Sequence, residues 1–183
     1  MTTTAPARAG QRLTVVVMGV CGTGKSSVAT GMAQRLHLGC IEGDDLHDPA
    51  AVAKMRQGIP LTDDDRWPWL ARIGAALADA RAAPGGVTAS CSALRKVYRD
   101  RLRQACPGLQ FVFLDGDADL IARRMAARSG HYMPTTLLQS QLQTLERPGA
   151  DEADVVRLDV GPPVTEVVDA AVQALLARSP ARA

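Results

Sequence analysis

Apolar and polar positions alternate between two rhythms along this chain. Leu13–Met18 reads LTVVVM, an unbroken β-branched run suited to a strand buried on both faces. Lys25–Leu36 follows, with Val28, Ala29, Met32, Ala33 and Leu36 at helical spacing. A short strand at Cys40–Ile41 leads into Gly43-Asp44. Asp48 as N-cap and Pro49 in the first turn then open a short helix that Gly58 closes. A longer helix starts within Thr62–Asp65, presents Trp69, Leu70, Ile73 and Leu77, and is stopped by Gly85-Gly86. Val87–Cys91 reads as a strand, Lys96–Ala105 as a helix and Gln110–Leu114 as a strand. Asp117 caps the next helix, which carries Leu120, Ile121 and Met125. After a loop through Ser129–Pro134, Thr135 or Thr136 starts a helix through Leu138, Leu142 and Leu145. Val155–Val160 is the last strand, Pro162-Pro163 breaks it, and Val164–Ala177 is the closing helix.

Strands that alternate with helices predict an α/β fold: a parallel, five-stranded sheet with helices on both faces. The 183 residues suffice for one domain, expected over 13–178, with frayed tails at 1–12 and 179–183. No apolar run approaches the roughly 20 residues of a membrane helix, and the first residues lack the apolar stretch of a signal peptide. The four cysteines form no C-x-x-C pair, so reduced thiols in the cytoplasm are expected. Aromatic residues are only 3% of the chain, too few for a base-stacking surface, and a net charge of +2 implies no polyanion. Neither nucleic acid nor membrane is an expected partner.

The clearest chemistry lies between the first strand and the first helix. Gly19-Val20-Cys21-Gly22-Thr23-Gly24-Lys25-Ser26 satisfies every fixed position of G-x-x-x-x-G-K-[ST]. Glycines let such a loop wrap phosphates with its backbone N–H groups, and the helix N-terminus adds its dipole. Lys25 is expected to reach the β- and γ-phosphates of ATP, and the Ser26 hydroxyl to ligate Mg²⁺. The chain contains no Asn, so the N-K-x-D guanine box of GTPases is absent. Phe111–Asp115 has the look of a strand ending in a magnesium-shell Asp, although such an Asp is also a common turn former. Cys21, beside a helix N-terminus, is expected either to have a lowered pKa and react with alkylating agents or to be a buried, inert thiol.

Four further blocks are more specific. Gly43-Asp44-Asp45-Leu46-His47 continues to Lys54-Met55 and Gly58–Leu70; Cys91–Arg103 and Arg128-Ser129-Gly130-His131-Tyr132 follow; Leu145–Glu152 is the last. Together with the loop they resemble the gluconokinase family from about Val15 to about Leu176. Cys21 stands where that family usually has Ser, Trp67 where a basic residue is common, and Tyr132 where Phe is usual. The resemblance implies a nucleoside-monophosphate-kinase-like fold with a lid near 124–134, transfer of phosphate from ATP to D-gluconate with Mg²⁺, and a homodimer. Shikimate or another small hydroxy acid is the alternative acceptor, and a non-catalytic ATP-binding protein the alternative class. The glycine run of a shikimate kinase after the third strand is absent; Cys91-Ser92-Ala93-Leu94 stands there.

The residues themselves agree in outline. Asp44 follows the second strand, at the carboxyl edge where such sheets bind ligands. It can take the acceptor's hydroxyl proton, or merely serve the turn, and Asp45 is its alternate. His47 can bond a sugar hydroxyl or pack in its loop. Gluconate carries a carboxylate, so a cation is needed. Arg95 and Arg99 lie four apart on one helical face and are the first candidates; a solvated basic face is the other reading. Arg66, after three Asp, is expected to pair locally and ranks lower. Arg128, then Arg124, is expected to close on the transferring phosphate, with His131 beside them on the acceptor. Lys54 is expected on a solvated helix face, and Met55, Trp69 and Leu70 in the core.

Overall fold

The computed structural model describes residues 12–127 and 136–178. The expected tails, except Arg12, lie outside these residues, as do Arg128, Gly130 and His131. Among the described residues five strands form one all-parallel sheet: β1 Leu13–Met18, β2 Gly39–Glu42, β3 Gly86–Ser90, β4 Gln110–Asp115 and β5 Val155–Asp159. They run in the order β2-β3-β1-β4-β5. The helices between them are α1 Lys25–Leu36, α2 Pro49–Arg56, α3 Asp63–Ala80, α4 Lys96–Ala105, α5 Ala118–Ala126, α6 Thr136–Thr144 and α7 Val164–Arg178.

The central strand shows why the sequence folds this way. All six residues of β1 are buried, and their alternation feeds two cores. Val15 and Val17 pack with Val28 and Met32 of α1, Ile121 of α5 and Val168 and Leu175 of α7. Val16 and Met18 point the other way, onto Leu70 and Ile73 of α3 and Tyr98 and Leu102 of α4. β1 lies between β3 and β4, so the chain reverses its direction of winding beside it. In such sheets that crevice, at the carboxyl ends of the strands, is where ligands bind.

Local signals set most boundaries. Asp48 caps α2 by accepting from the Ala50 N–H at 2.8 Å. Thr62 and Asp65 form a reciprocal capping box at the start of α3. Asp117 accepts from the N–H groups of Asp119 and Leu120 at the start of α5. Several expected boundaries shift. The third helix already stops at Ala80, and Gly86, at φ 105°, is the first residue of β3. The second strand reaches Glu42, which places that carboxylate at the edge of the site. The last strand ends at Asp159, before Val160.

Candidate active site

Beyond β1 the loop Gly19–Gly24 turns into α1. Its backbone enters regions open chiefly to glycine: Gly22 has φ 81° and lies so close to α5 that a Cβ would stand 2.5 Å from the Met125 side chain. Lys25 folds back over the loop and donates to the Val20 carbonyl at 3.0 Å. Thr23 donates to the same carbonyl at 2.9 Å, so side chains hold the loop in shape. The Cys21 thiol turns inward onto Met125, and burial pushes its pKa up despite the nearby Lys25 ammonium. The expectation of an activated thiol is thereby corrected: the inward rotation removes the thiolate's solvation.

The facing wall starts at the tip of β2. Glu42 accepts hydrogen bonds from the Ser90 hydroxyl and the Asp44 N–H, and the Ser26 hydroxyl lies near enough to favour its ionised form. Burial opposes its ionisation, but these donors together with Lys25 hold the carboxyl below its ordinary range. Gly43 lies flush on β3, where a Cβ would come within 2.0 Å of the Ser90 carbonyl. Asp44 lies in a 3₁₀ turn, Gly43–Leu46, and faces the cleft. Two side chains of α3 fix this turn: Trp69 donates its indole N–H to the Gly43 carbonyl at 2.7 Å, and Arg72 donates to the Leu46 carbonyl at 2.7 Å.

His47 stacks on Trp69 with ring centroids 4.2 Å apart. Burial lowers its pKa, and the Asp44 carboxylate only partly offsets this, so the imidazole is neutral near pH 7. Its Nδ1 is buried without a hydrogen-bond partner among the described residues.

One cleft joins the two walls. It is lined by Cys21, Gly22, Gly24, Lys25 and Ser26 on the loop side and by Asp44, His47, Met55, Arg66 and Trp69 on the other, with Leu137, Ser140 and Gln141 of α6 above. Met55 and Trp69 are buried as expected, yet they also face this space.

The three candidate arginines separate sharply. Arg99 is fully buried, and its guanidinium grips Glu152 through two bonds of 2.6 Å while also donating to the carbonyls of Ala93 and Leu94. It holds a carboxylate of its own chain, which corrects its assignment to the acceptor. Arg95 is shared between Asp63 and Glu146 at 2.9 and 3.2 Å. Arg66 lines the cleft and donates to the Tyr98 hydroxyl at 3.2 Å and to Asp63 at 3.4 Å. Of the three, only Arg66 lines the cleft, because the inner face of α4 meets Glu152 and the start of α3 meets the cleft.

Other candidates are placed elsewhere. Arg124 donates to the carbonyls of Val160 and Gly161, after β5, and does not line the cleft, which corrects its expected place at the transferring phosphate. Asp115 accepts from the Gly116 N–H and pairs with Arg147 and Arg157, as a strand-end turn residue does. Lys54 is paired with Asp65 at 2.7 Å and is not simply solvated.

A family model described as AAA domain matches residues 14–148. The thermosensitive gluconokinase of Escherichia coli (strain K12) is 44% identical over 162 residues, spanning 88% of this chain and 87% of that protein. A gluconokinase of Gluconobacter oxydans (strain 621H) is 51% identical over 138 residues, 75% of this chain and 78% of that protein. The chain belongs to the gluconokinase family. The crystal structure of a gluconokinase from Sinorhizobium meliloti 1021 has a TM-score of 0.78 at 47% identity and covers 93% of this chain and 100% of that one. Shikimate kinase from Aquifex aeolicus, at a TM-score of 0.58 and 15% identity, shares the fold. At or beside the cleft stand residues that sequence reasoning did not single out: Ser90 and Gln141, and Glu42, which it counted only within an acidic stretch. Glu42 sits directly before the Gly-Asp pair at the end of an apolar strand, which is a usable signal; Gln141 carries none.

Proposed function

We propose that this chain transfers the γ-phosphoryl group of ATP to D-gluconate, giving 6-phospho-D-gluconate and ADP. The observation that carries the reading is a single cleft in which Lys25 and Ser26 face Asp44, His47 and Arg66, within a chain of the gluconokinase family.

The loop's N–H groups and the Lys25 ammonium take the phosphates, with Lys25 leaving the Val20 carbonyl to reach them. The Ser26 hydroxyl, near the Glu42 carboxylate, makes with it a hard-oxygen pair that would suit Mg²⁺, with Asp44 close by in the same cleft. When bound there, the ion neutralises charge on the phosphate oxygens. Asp44 orients the acceptor's terminal hydroxyl and takes its proton as the O–P bond forms and the bond to ADP breaks. Positioning outweighs base strength in such a transfer, and the clamps from Trp69 and Arg72 supply it. Neutral His47 offers one donor and one acceptor to sugar hydroxyls. Arg66 takes the gluconate carboxylate, with Tyr98 and Asp63 fixing its direction.

An assay of ADP release with gluconate, shikimate, glycerate and nucleoside monophosphates tests the reading. Turnover with gluconate is expected, and Asp44→Asn should lower kcat by about 100-fold or more with nucleotide affinity retained. Turnover on another acid but not on gluconate would overturn it. ATP binding without any turnover would point to the non-catalytic class.

A further inference from the structure

The phosphate loop makes one contact that its own fold does not require. Gln141, midway along α6, accepts the Cys21 backbone N–H at 2.7 Å through its carbonyl oxygen. The two residues are 120 positions apart, so only tertiary placement brings the carboxamide there. Because a backbone N–H can only donate, Oε1 must be the atom that faces it, and Nε2 with its two donors is left on the same carboxamide. Gln141 also lines the cleft with Lys25, Asp44 and Arg66. It therefore stands where the phosphate wall and the acceptor wall meet, and the transferring group must pass between those walls.

The oxygens of an ionised phosphate accept hydrogen bonds and donate none. A terminal phosphate arriving over Cys21 competes with the Gln141 carbonyl for the same N–H. The carboxamide resolves that conflict by turning about its last side-chain bond, which replaces an acceptor with a donor. We propose that Gln141 is a positioning residue for the transferring phosphoryl group: its oxygen holds the Cys21 N–H in the empty site, and its NH₂ group donates to the terminal phosphate once ATP is bound. ADP lacks that phosphate and leaves the original bond in place. The phosphate class rests on the ATP-dependent reading above.

The test compares ADP with the imido analogue of ATP, which keeps a terminal phosphate, by calorimetry on the full chain. Needing no acceptor, it stays informative even if gluconate proves to be the wrong substrate. Gln141→Glu keeps the acceptor for Cys21 but sets a negative charge against the phosphate. It should weaken the imido analogue at least about tenfold while ADP affinity changes less than about threefold, with the melting temperature of the empty protein unchanged. Equal affinity for the analogue in both proteins, or parallel loss of both nucleotides, would overturn the proposal. Should the Glu variant not fold, Gln141→Met carries the same comparison: selective loss of the imido analogue supports the assignment, and unchanged or parallel losses refute it.

Discussion

Arg99 and Glu152 form a buried ion pair between α4 and the loop before β5, with two bonds of 2.6 Å and side chains no more than 3% exposed. Burial pushes the Glu152 carboxyl up, but Arg99 and Arg103 outweigh it and hold the pKa at about 2, against an ordinary 4.5. Removing one partner strands the other charge. Arg99→Ala is expected to cost about 3–5 kcal/mol, a fall of very roughly 6–20 °C in Tm for a chain of this size. Arg99→Met with Glu152→Met should recover part of that loss. Because the folded pKa is the lower one, the pair's stabilisation is complete above about pH 4.5 and fades as pH falls towards 2. Thermal melts of the single and double variants across that window check both statements.

Arg66 predicts a different signature. Arg66→Ala should raise the KM for gluconate about 10- to 100-fold and leave the KM for ATP near its starting value. Preference for gluconate over the uncharged polyol D-glucitol should collapse by the same factor. A KM for gluconate that does not move would remove the carboxylate from this position.

Glu42, beside Ser26 on the proposed magnesium side, is tied to β3 through the Ser90 hydroxyl. Glu42→Gln keeps the shape but halves the acceptor capacity and loses the charge. The Mg²⁺ concentration that gives half-maximal rate should rise about 10- to 100-fold, measured at saturating ATP and gluconate. Ser90→Ala should shift it in the same direction by less.

The cysteines separate by burial. Cys40 is exposed, Cys21 is buried with a raised pKa, and Cys91 is buried and pushed up to about 12. Iodoacetamide near neutral pH should label Cys40 before Cys21, with activity retained while only Cys40 is modified. Peptide mapping against residual activity reads this directly.

The strands and the phosphate loop were legible because local chemistry determines them. LTVVVM can only be a doubly buried strand, and a loop of that glycine spacing before an amphipathic helix has one common use. The caps at Asp48, Thr62 and Asp117 stand where side chains reach unpaired N–H groups, and the structure shows each of them. The choice among the arginines was not legible. Spacing alone puts Arg95 and Arg99 on one helical face, but Arg95 is the extended residue before α4, and which carboxylate each meets depends on residues about 50 positions away. Arg66 does pair locally, with Asp63 at 3.4 Å, but Asp63 is shared with Arg95 and Tyr98 and Asp65 goes to Lys54, which spacing alone does not reveal. Gln141 reaches the phosphate loop only through the packing of α6.

Glu42, Gly43 and Asp44 are consecutive, and Gly43 lies so close to β3 that a Cβ there would come within 2.0 Å of the Ser90 carbonyl. The spacing between the Glu42 and Asp44 carboxylates, the proposed magnesium side and the proposed proton acceptor, is thus set by one short stretch of covalent backbone. Whatever else shifts during a catalytic cycle, these two groups travel together. The transferring group has a stationary anvil, and any closing motion must bring the remaining groups to it.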